Sequence, residues 1–130
     1  MSNKTVLIAE DNILHMKLFN DILELQGYKT LQATDGEIVL EMTRENNPDL
    51  ILLDVRLPNK SGFEVVRQLK NEQDLKDIPV VAVTALGNTL ERNEYLSWGF
   101  DGFLSKPIAI QNLLRTVADC LMPTLYQKTA

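Results

Sequence analysis

The chain has 130 residues, of which 45% are hydrophobic and 24% charged, an ordinary composition for one globular domain. Its net charge of −5 disfavours a general affinity for nucleic-acid backbones, so we expect no nucleic acid among its partners. Cys120 is the single cysteine, which excludes an intrachain disulfide and fits a reducing compartment. The sequence has no signal-peptide pattern and no apolar run of roughly 18 residues, so we expect a cytoplasmic protein without membrane insertion.

Short apolar runs alternate with helical patterns along the chain. Three runs, at residues 5–9, 50–53 and 78–83, are typical of strands buried on both faces. Residues 29–32 and 102–104 are weaker strand candidates, expected to be the second and fifth strands. Helical periodicity predicts helices over residues 12–26, 35–46, 61–71, 88–98 and 108–122. The alternation predicts an α/β fold of the (βα)5 type, in which helices cover both faces of a parallel sheet.

Local signals support the helix assignments. The third helix begins with the capping box Ser61-x-x-Glu64, and Asn88 marks the start of the fourth. Gly27 follows the first helix as a C-cap. We interpret four apolar residues at helical spacing as the buried stripe of this first helix: Leu14, Leu18, Ile22 and Leu25.

Polar residues stand at the ends of four predicted strands. Glu10 and Asp11 follow the first strand, Asp54 the third, Thr84 the fourth and Lys106 the fifth. A parallel sheet gathers the carboxyl ends of its strands along one edge, where open α/β sheets bind their ligands. Clustered carboxylates repel one another, and a hard cation such as Mg²⁺ relieves that repulsion. The set therefore predicts a divalent cation held beside an anionic oxygen.

Each of these residues also has a plain structural interpretation. The adjacent acids alone suit the N-terminus of a helix. Asp54 could cap a loop or act as the nucleophile that forms an aspartyl-phosphate. Thr84 could be an ordinary strand threonine, or its hydroxyl could donate to a phosphoryl oxygen. Lys106 could lie on the surface, but a cis bond to Pro107 would aim its ammonium into the site.

Taken together, the strand ends resemble the receiver domains of two-component response regulators. The matching stretches are VLIAEDN at 6–12, PDLILLDVRLP at 48–58, IPVVAVTA at 78–85 and SKPI at 105–108. The resemblance covers essentially the whole chain. It implies a flavodoxin-like three-layer sandwich whose five parallel strands have the order 2-1-3-4-5.

The resemblance also implies a phosphorylation site and a metal site. Asp54 would accept a phosphoryl group from a histidine kinase or a histidine phosphotransfer protein. Asp11, Asp54 and the backbone carbonyl of Arg56 would ligate Mg²⁺, for which Mn²⁺ could substitute, and Glu10 would act through a water molecule.

A switch follows from the same resemblance. Thr84 and Lys106 would hold the phosphoryl group, and Phe103 stands at the position of the aromatic residue that rotates when Thr84 moves. Phe103 lacks the hydroxyl of the tyrosine often found there. Leu86 and Arg56 stand where the family tunes the lifetime of the phosphoryl group.

Shorter stretches resemble a single-domain member of this family that regulates cell division and polarity. They are EDN at 10–12, MKLF at 16–19, QGY at 26–28, TLQ at 30–32 and KPI at 106–108. We therefore expect a receiver domain over residues 1–122 and a short tail over 123–130, with no output domain. The output would be binding to kinases or adaptors through the first helix and through the face formed by the fourth helix, the fifth strand and the fifth helix. Membrane kinases could recruit such a protein to a cell pole.

Several residues leave two interpretations open. Met16 and Phe19 could belong to the core or to a docking surface. We expect Phe100 in the core, while Trp98 could pack inside or form an interface. His15, the single histidine, is expected at a solvated position, because zinc would need further ligands nearby. Separately, Ala109 stands where Ser or Asp would cap the last helix, at a cost of about 1 kcal/mol.

Two other functional classes fit this sequence less well than a receiver does. An aspartate-dependent phosphohydrolase commonly has a second acid two residues after its nucleophile, where this chain has Arg56, and it also needs a cap or a substrate pocket. A flavodoxin-type cofactor module needs a phosphate-binding loop after the first strand, where Glu10 and Asp11 would repel phosphate. Both alternatives are disfavoured.

Overall fold

Five parallel strands form one open sheet. The computed structural model describes residues 4–85 and 92–121. The strands are β1 (Thr5–Ala9), β2 (Lys29–Ala33), β3 (Leu50–Asp54), β4 (Val80–Thr84) and β5 (Gly102–Ser105). Their order is β2-β1-β3-β4-β5, and every neighbouring pair is parallel. The predicted fold class and strand order are confirmed.

Helices follow the strands in alternation. They are α1 (Ile13–Leu25), α2 (Gly36–Asn46), α3 (Gly62–Asn71), α4 (Arg92–Trp98) and α5 (Ile110–Leu121). The predicted start of the fourth helix at Asn88, the residue Leu86 and the tail beyond Leu121 lie outside the described residues. None of the described helices combines the length and apolar character needed to cross a membrane.

The sheet separates two apolar cores because successive side chains of a strand point to opposite faces. In β3, Leu50 and Leu52 pack with α1 and α5, whereas Ile51 and Leu53 pack with α2, α3 and α4. All five residues of β3 and of β4 are buried. The molecule therefore has three layers, and both β3 and β4 end on a buried polar residue, Asp54 and Thr84.

The predicted buried stripe of α1 is wrong for its three leucines, whereas Ile22 is partly buried and packs against the core. Leu14 and Leu25 are 76% and 84% exposed, and Leu18 is also exposed. The residues that α1 buries against the sheet are Met16, Phe19 and Leu23. Both sets recur at helical spacing, so the periodicity of this helix could not choose between them. Met16 and Phe19 accordingly belong to the core, and the leucines form an exposed apolar surface.

Helix ends follow the local signals. The capping box of α3 is confirmed, since Ser61 Oγ accepts from Glu64 N and the Glu64 side chain accepts from Ser61 N. Gly27 has φ +92°, a conformation that favours glycine after a helix, and Tyr28 N donates to Leu23 O there. Ala109 precedes the first residue of α5, so no side chain of the Ser or Asp type caps that helix.

An aromatic cluster fills the space between α3, α4 and β5. Its members are Phe63, Tyr95, Trp98, Phe100 and Phe103. Phe100 is buried, as predicted. Trp98 contacts Phe63 at 5.1 Å between ring centroids but remains 36% exposed, so it is partly packed and partly open to solvent. The guanidinium of Arg67 lies 4.8 Å from the Trp98 ring centroid.

Candidate functional site

The polar strand ends meet at one edge of the sheet. Strands β1, β3, β4 and β5 are neighbours in that order, and their carboxyl ends carry Glu10, Asp54, Thr84 and Lys106. The pairing keeps them in register, because Ala9 lies opposite Leu53 and Thr84 lies opposite Ser105. All four residues, far apart in sequence, therefore share one small region.

The ammonium of Lys106 contacts two acids. Lys106 Nζ lies 2.9 Å from Asp54 Oδ2 and 2.9 Å from Glu10 Oε1. Both acids are buried, and the Lys106 side chain is only 15% exposed. The Lys106–Pro107 peptide bond is cis, and Lys106 N donates to Thr84 O at 2.8 Å. The end of β5 is thus tied to β4, and its side chain lies over the ends of β1 and β3.

Burial raises the pKa of Glu10 above its ordinary value, even though Lys106 and the backbone of Asn12 lower it, and the negative charge of Asp54 adds to the rise. For Lys106, burial lowers the pKa, but the contacts with Asp54 and Glu10 outweigh that effect and raise it overall. The physical basis is the same in both cases: acids and a base share a space with little water. Lys106 is therefore charged at neutral pH.

The site has the oxygen donors that a hard divalent cation requires. Glu10, Asp11 and Asp54 can each offer one carboxylate oxygen, and these oxygens all lie within 4.8 Å of one another. Asp11 is exposed to solvent while the other two acids are buried. Mg²⁺ prefers carboxylate oxygens and retains several waters, so a half-open trio of this kind fits it.

The loop after β3 is held from several sides. Arg56 N donates to Asp54 Oδ1 at 2.7 Å, and Gly62 N donates to Val55 O at 3.0 Å. A Cβ atom on Gly62 would lie 2.6 Å from Asp54 O, so only glycine allows α3 to start this close to the strand end. The backbone of Arg56 is therefore fixed beside Asp54, while its side chain is exposed.

Thr84 has a partner that the sequence did not reveal. Its side chain is buried, and its Oγ1 accepts a hydrogen bond from Tyr95 Oη at 3.2 Å. The Tyr95 ring also stacks on Phe103, with centroids 5.3 Å apart and an interplanar angle of 15°. A tyrosine in the buried face of a short helix carries no pattern that would single it out in the sequence.

His15 lies at the margin of the site. Its Nδ1 is 3.9 Å from Glu10 Oε2, and 43% of its side chain is exposed. Its ring also contacts Phe19 at 6.3 Å between centroids. His15 is therefore partly exposed to solvent, as expected, but its Nδ1 also lies near the buried carboxylate of Glu10.

The strand order, the clustered acids and the lysine at this sheet edge are those expected of a response-regulator receiver. The chain belongs to the response regulator receiver domain family, whose sequence model matches residues 6–118. Among individual proteins, it is 42% identical to the polar-differentiation response regulator DivK of Brucella ovis, over 91% of this chain and 96% of that protein. DivK of Brucella anthropi matches to the same extent. The chain is therefore a DivK-like signalling protein rather than a classical enzyme, and the phosphohydrolase and flavodoxin alternatives are set aside.

Solved structures agree with this assignment. A putative response regulator from Chloroflexus aurantiacus has a TM-score of 0.87 at 27% identity, covering 92% of this chain and 98% of that one. The chemotaxis response regulator CheY4 of Vibrio cholerae has a TM-score of 0.85 at 28% identity, covering 92% and 100%. The receiver domain of a sensor histidine kinase from Pseudomonas aeruginosa, described with a magnesium ion in its active-site cleft, has a TM-score of 0.85 at 25% identity, covering 92% and 98%.

Proposed function

We propose that this chain accepts a phosphoryl group on Asp54 from a histidine kinase or a histidine phosphotransfer protein, and that phosphorylation changes its binding to partner proteins. The observation that carries this proposal is the contact of Lys106 Nζ with both Asp54 and Glu10 at 2.9 Å. A lysine placed this way can neutralise a carboxylate before transfer and a phosphoryl oxygen after it.

The transfer step uses Asp54 as the nucleophile. A carboxylate oxygen attacks the phosphorus of the donor phosphohistidine, the new P–O bond forms, and the P–N bond breaks with its electron pair returning to the imidazole. Such transfers pass through a loose transition state that needs mainly positioning and charge neutralisation. Lys106 supplies one positive charge, and the fixed N–H of Arg56 holds the other carboxylate oxygen at 2.7 Å.

A divalent cation completes the site in this proposal. Asp11, Asp54 and the backbone carbonyl of Arg56 would hold Mg²⁺, with Glu10 acting through a water molecule, and Mn²⁺ satisfies the same donors. When bound, the cation neutralises the charge that develops on the phosphoryl oxygens. The clustered oxygens of the three acids support this assignment.

The output of the switch begins at Thr84. Its hydroxyl turns to a phosphoryl oxygen on Asp54, and Phe103, which is half-buried in the aromatic cluster, adjusts to the space that Thr84 leaves. The rearrangement reaches α4, β5 and α5, because Phe103 lies in β5 and stacks on Tyr95 of α4. A full swing from 1:99 to 99:1 would require about 5.5 kcal/mol of differential stabilisation, and a partial swing needs less.

Partner binding is proposed for two surfaces. Leucines on the outer side of α1 form an exposed apolar surface suited to the helices of a kinase or a phosphotransfer protein. Leu96 and Ile110 are exposed on α4 and α5, where a downstream kinase or adaptor would bind. The kinship with a polar-differentiation regulator favours a role in cell division or polarity, in the cytoplasm and with recruitment to a pole by membrane kinases.

Labelling with acetyl phosphate tests the phosphoacceptor. With Mg²⁺, intact-mass measurement should show one phosphoryl group on the wild type and none on Asp54→Asn or in the presence of EDTA. Asp35→Asn is a matched control, because Asp35 accepts from Ile38 N as the N-cap of α2 and Asn caps equally well. Equal labelling of Asp54→Asn and the wild type would refute the proposal.

A further inference from the structure

Tyr95 links α4 directly to the strand end that carries Thr84. Its side chain is fully buried, and its hydroxyl donates to Thr84 Oγ1 at 3.2 Å. Its ring stacks on two aromatic neighbours, with centroids 5.3 Å from Phe103 and 6.2 Å from Phe63. Both interplanar angles are below 20°, so these contacts hold the plane of the ring and keep its hydroxyl oxygen beside Thr84.

Strand register shows which way this hydrogen bond pulls Thr84. Along β4, Thr84 shares a face with Ala82, which packs in the same core as Tyr95. Along β3, Asp54 shares a face with Leu52, which packs on the opposite side of the sheet. The bond to Tyr95 therefore holds the Thr84 hydroxyl on the α3–α4 side, whereas the carboxylate of Asp54 belongs to the α1–α5 side.

We infer that Tyr95 is a positioning residue that competes with the phosphoryl group for the hydroxyl of Thr84. This inference rests on the proposed function. To reach a phosphoryl oxygen on Asp54, Thr84 must turn its hydroxyl away from α4, and the bond from Tyr95 then breaks. Phe103 has no hydroxyl, so within the described residues Tyr95 is the aromatic side chain whose hydroxyl bonds to Thr84.

The loss of this hydrogen bond would favour a shift of α4. A buried hydroxyl that loses its partner is costly, so once Thr84 turns, Tyr95 needs a new partner or water. Because α4 carries Tyr95, a shift of this helix is the direct way to provide one. Phosphorylation at Asp54 is thereby coupled to α4 through one hydrogen bond and one stacked ring.

Loss of the Tyr95 hydroxyl should strengthen the binding of a phosphoryl mimic. Tyr95→Phe removes the hydrogen bond that phosphorylation must break and keeps the ring that stacks on Phe103. The variant should therefore bind beryllofluoride, a phosphoryl mimic, about two to ten times more tightly than the wild type in the presence of Mg²⁺, the factor expected for one neutral hydrogen bond. A purely structural role would loosen the fold and would not tighten this binding.

Calorimetric titration with Mg²⁺ and beryllofluoride tests this prediction. Tyr95→Phe is measured alone and in a Thr84→Val background, where it should have no effect because the acceptor is gone. Tyr28→Phe is the matched control, since Tyr28 is half-buried just before β2, at the opposite edge of the sheet, and its affinity should equal that of the wild type.

A second measurement, carbon NMR of the tyrosine side chains, tests the same role without relying on the folding of Tyr95→Phe. In protein labelled at the Cζ carbon of its three tyrosines, the Tyr95 resonance, assigned by elimination with Tyr28→Phe and Tyr126→Phe, reports on the state of its hydroxyl. Beryllofluoride should move this resonance in the same direction as Thr84→Val does without the mimic.

The outcomes separate the two proposals. Unchanged or weaker binding by Tyr95→Phe, an equal effect in the Thr84→Val background, or a Tyr95 resonance that beryllofluoride does not move would each overturn the role of Tyr95 while leaving Asp54 as the phosphoacceptor. A wild-type protein that binds no beryllofluoride with Mg²⁺ present would overturn the proposed function and this inference together.

Discussion

Lys106 Nζ lies 2.9 Å from Asp54 Oδ2, although the two residues are 52 positions apart in the sequence. The same ammonium lies 2.9 Å from Glu10 Oε1. One positive charge thus serves two buried carboxylates, and a negative charge remains uncompensated within this trio. A divalent cation would compensate that charge, so its binding should stabilise the folded protein.

Lys106→Met should destabilise the protein in the absence of divalent metal. The substitution leaves two neighbouring carboxylates without their counter-charge, at a cost of about 2 kcal/mol, below the range for a fully buried pair because Lys106 is still 15% exposed. Thermal unfolding in EDTA should show a lower Tm by roughly 8 °C. Mg²⁺ should raise the Tm of the variant more than that of the wild type.

A control for Lys106→Met is Lys17→Met. Lys17 pairs with Asp21 on the surface of α1 at 2.9 Å, and both side chains are mostly exposed. Exposed pairs of this kind contribute little, so the Tm should not change measurably. If Lys106→Met behaves like Lys17→Met in EDTA, the ion pairs at the sheet edge do not stabilise the fold.

Glu10→Gln should stabilise the metal-free protein increasingly as the pH rises. Burial raises the pKa of Glu10, so the native state favours the protonated carboxyl, and that contribution is lost as the pH rises through the folded-state pKa. Gln mimics the protonated form at every pH. Urea unfolding in EDTA should give equal stabilities for the two proteins near pH 4 and a more stable variant at pH 7.5.

Mg²⁺ should reverse the predicted order of stability, so that the wild type becomes more stable than Glu10→Gln. Ionised Glu10 supports a cation, so Mg²⁺ at pH 7.5 should stabilise the wild type more than the variant. A wild type that is already more stable than Glu10→Gln in EDTA at pH 7.5 would mean that the contact with Lys106 outweighs the cost of burying the charge.

Ala109→Ser should stabilise the protein by about 1 kcal/mol, because it supplies the side-chain acceptor that the start of α5 lacks. The Tm should rise by roughly 4 °C. Ser61→Ala is the converse variant, since it removes one half of the capping box of α3 and should lower stability by a similar amount. Opposite shifts of the two variants support the assignment of both helix starts.

Asp101→Ala should destabilise the start of β4. Asp101 Oδ2 accepts from Val80 N at 2.8 Å and from Lys70 Nζ at 3.0 Å. The loss leaves the backbone N–H of a buried residue without this acceptor and should cost about 1–2 kcal/mol in urea unfolding. Asp21→Ala, which removes only an exposed surface pair, should leave the unfolding midpoint unchanged.

Cys120 should react slowly with alkylating reagents while the protein is folded. Burial raises the pKa of its thiol, and the charges of Asp101 and Asp119 raise it further. The thiolate is the reactive form, so at pH 8 iodoacetamide should modify the native protein at least about ten times more slowly than the urea-unfolded chain. Equal rates would show that α5 leaves this thiol open to solvent.

The raised pKa of Cys120 also makes the stability of the fold depend on pH. Since the folded state holds the proton more tightly, its contribution to stability is complete below the unfolded-state pKa and declines as the pH rises through the folded-state pKa. Cys120→Ala should therefore weaken the pH dependence of stability on the alkaline side, which urea unfolding between pH 8 and 10 would measure.

Much of the site could be predicted from the sequence because it is built from strand ends. A buried parallel strand has a distinct apolar pattern, and the residue that ends it must lie at the ligand-binding edge. The convergence of Glu10, Asp54, Thr84 and Lys106 follows from that rule alone. The rule says nothing about which groups then pair, so the double contact of Lys106 required the structure.

Helix faces were harder to predict than strand ends. In α1, apolar residues occupy more than one side, and packing against the sheet selected Phe19 and Leu23 while leaving Leu14 and Leu25 exposed. Tyr95 shows the same difficulty, because its bond to Thr84 depends on where α4 lies against β4. Periodicity describes a helix by itself, and these contacts arise only when the helix meets its neighbours.

Trp98 is placed where its fluorescence can report on α4. It is the only tryptophan in the chain, it lies at the end of α4 and is partly exposed, and it contacts both the Phe63 ring and the guanidinium of Arg67. Indole emission depends on solvent and on nearby charge, and both would change if α4 shifted. The protein therefore carries an intrinsic fluorophore at the end of the helix that the switch is proposed to move. Tryptophan fluorescence can follow that rearrangement without an attached dye.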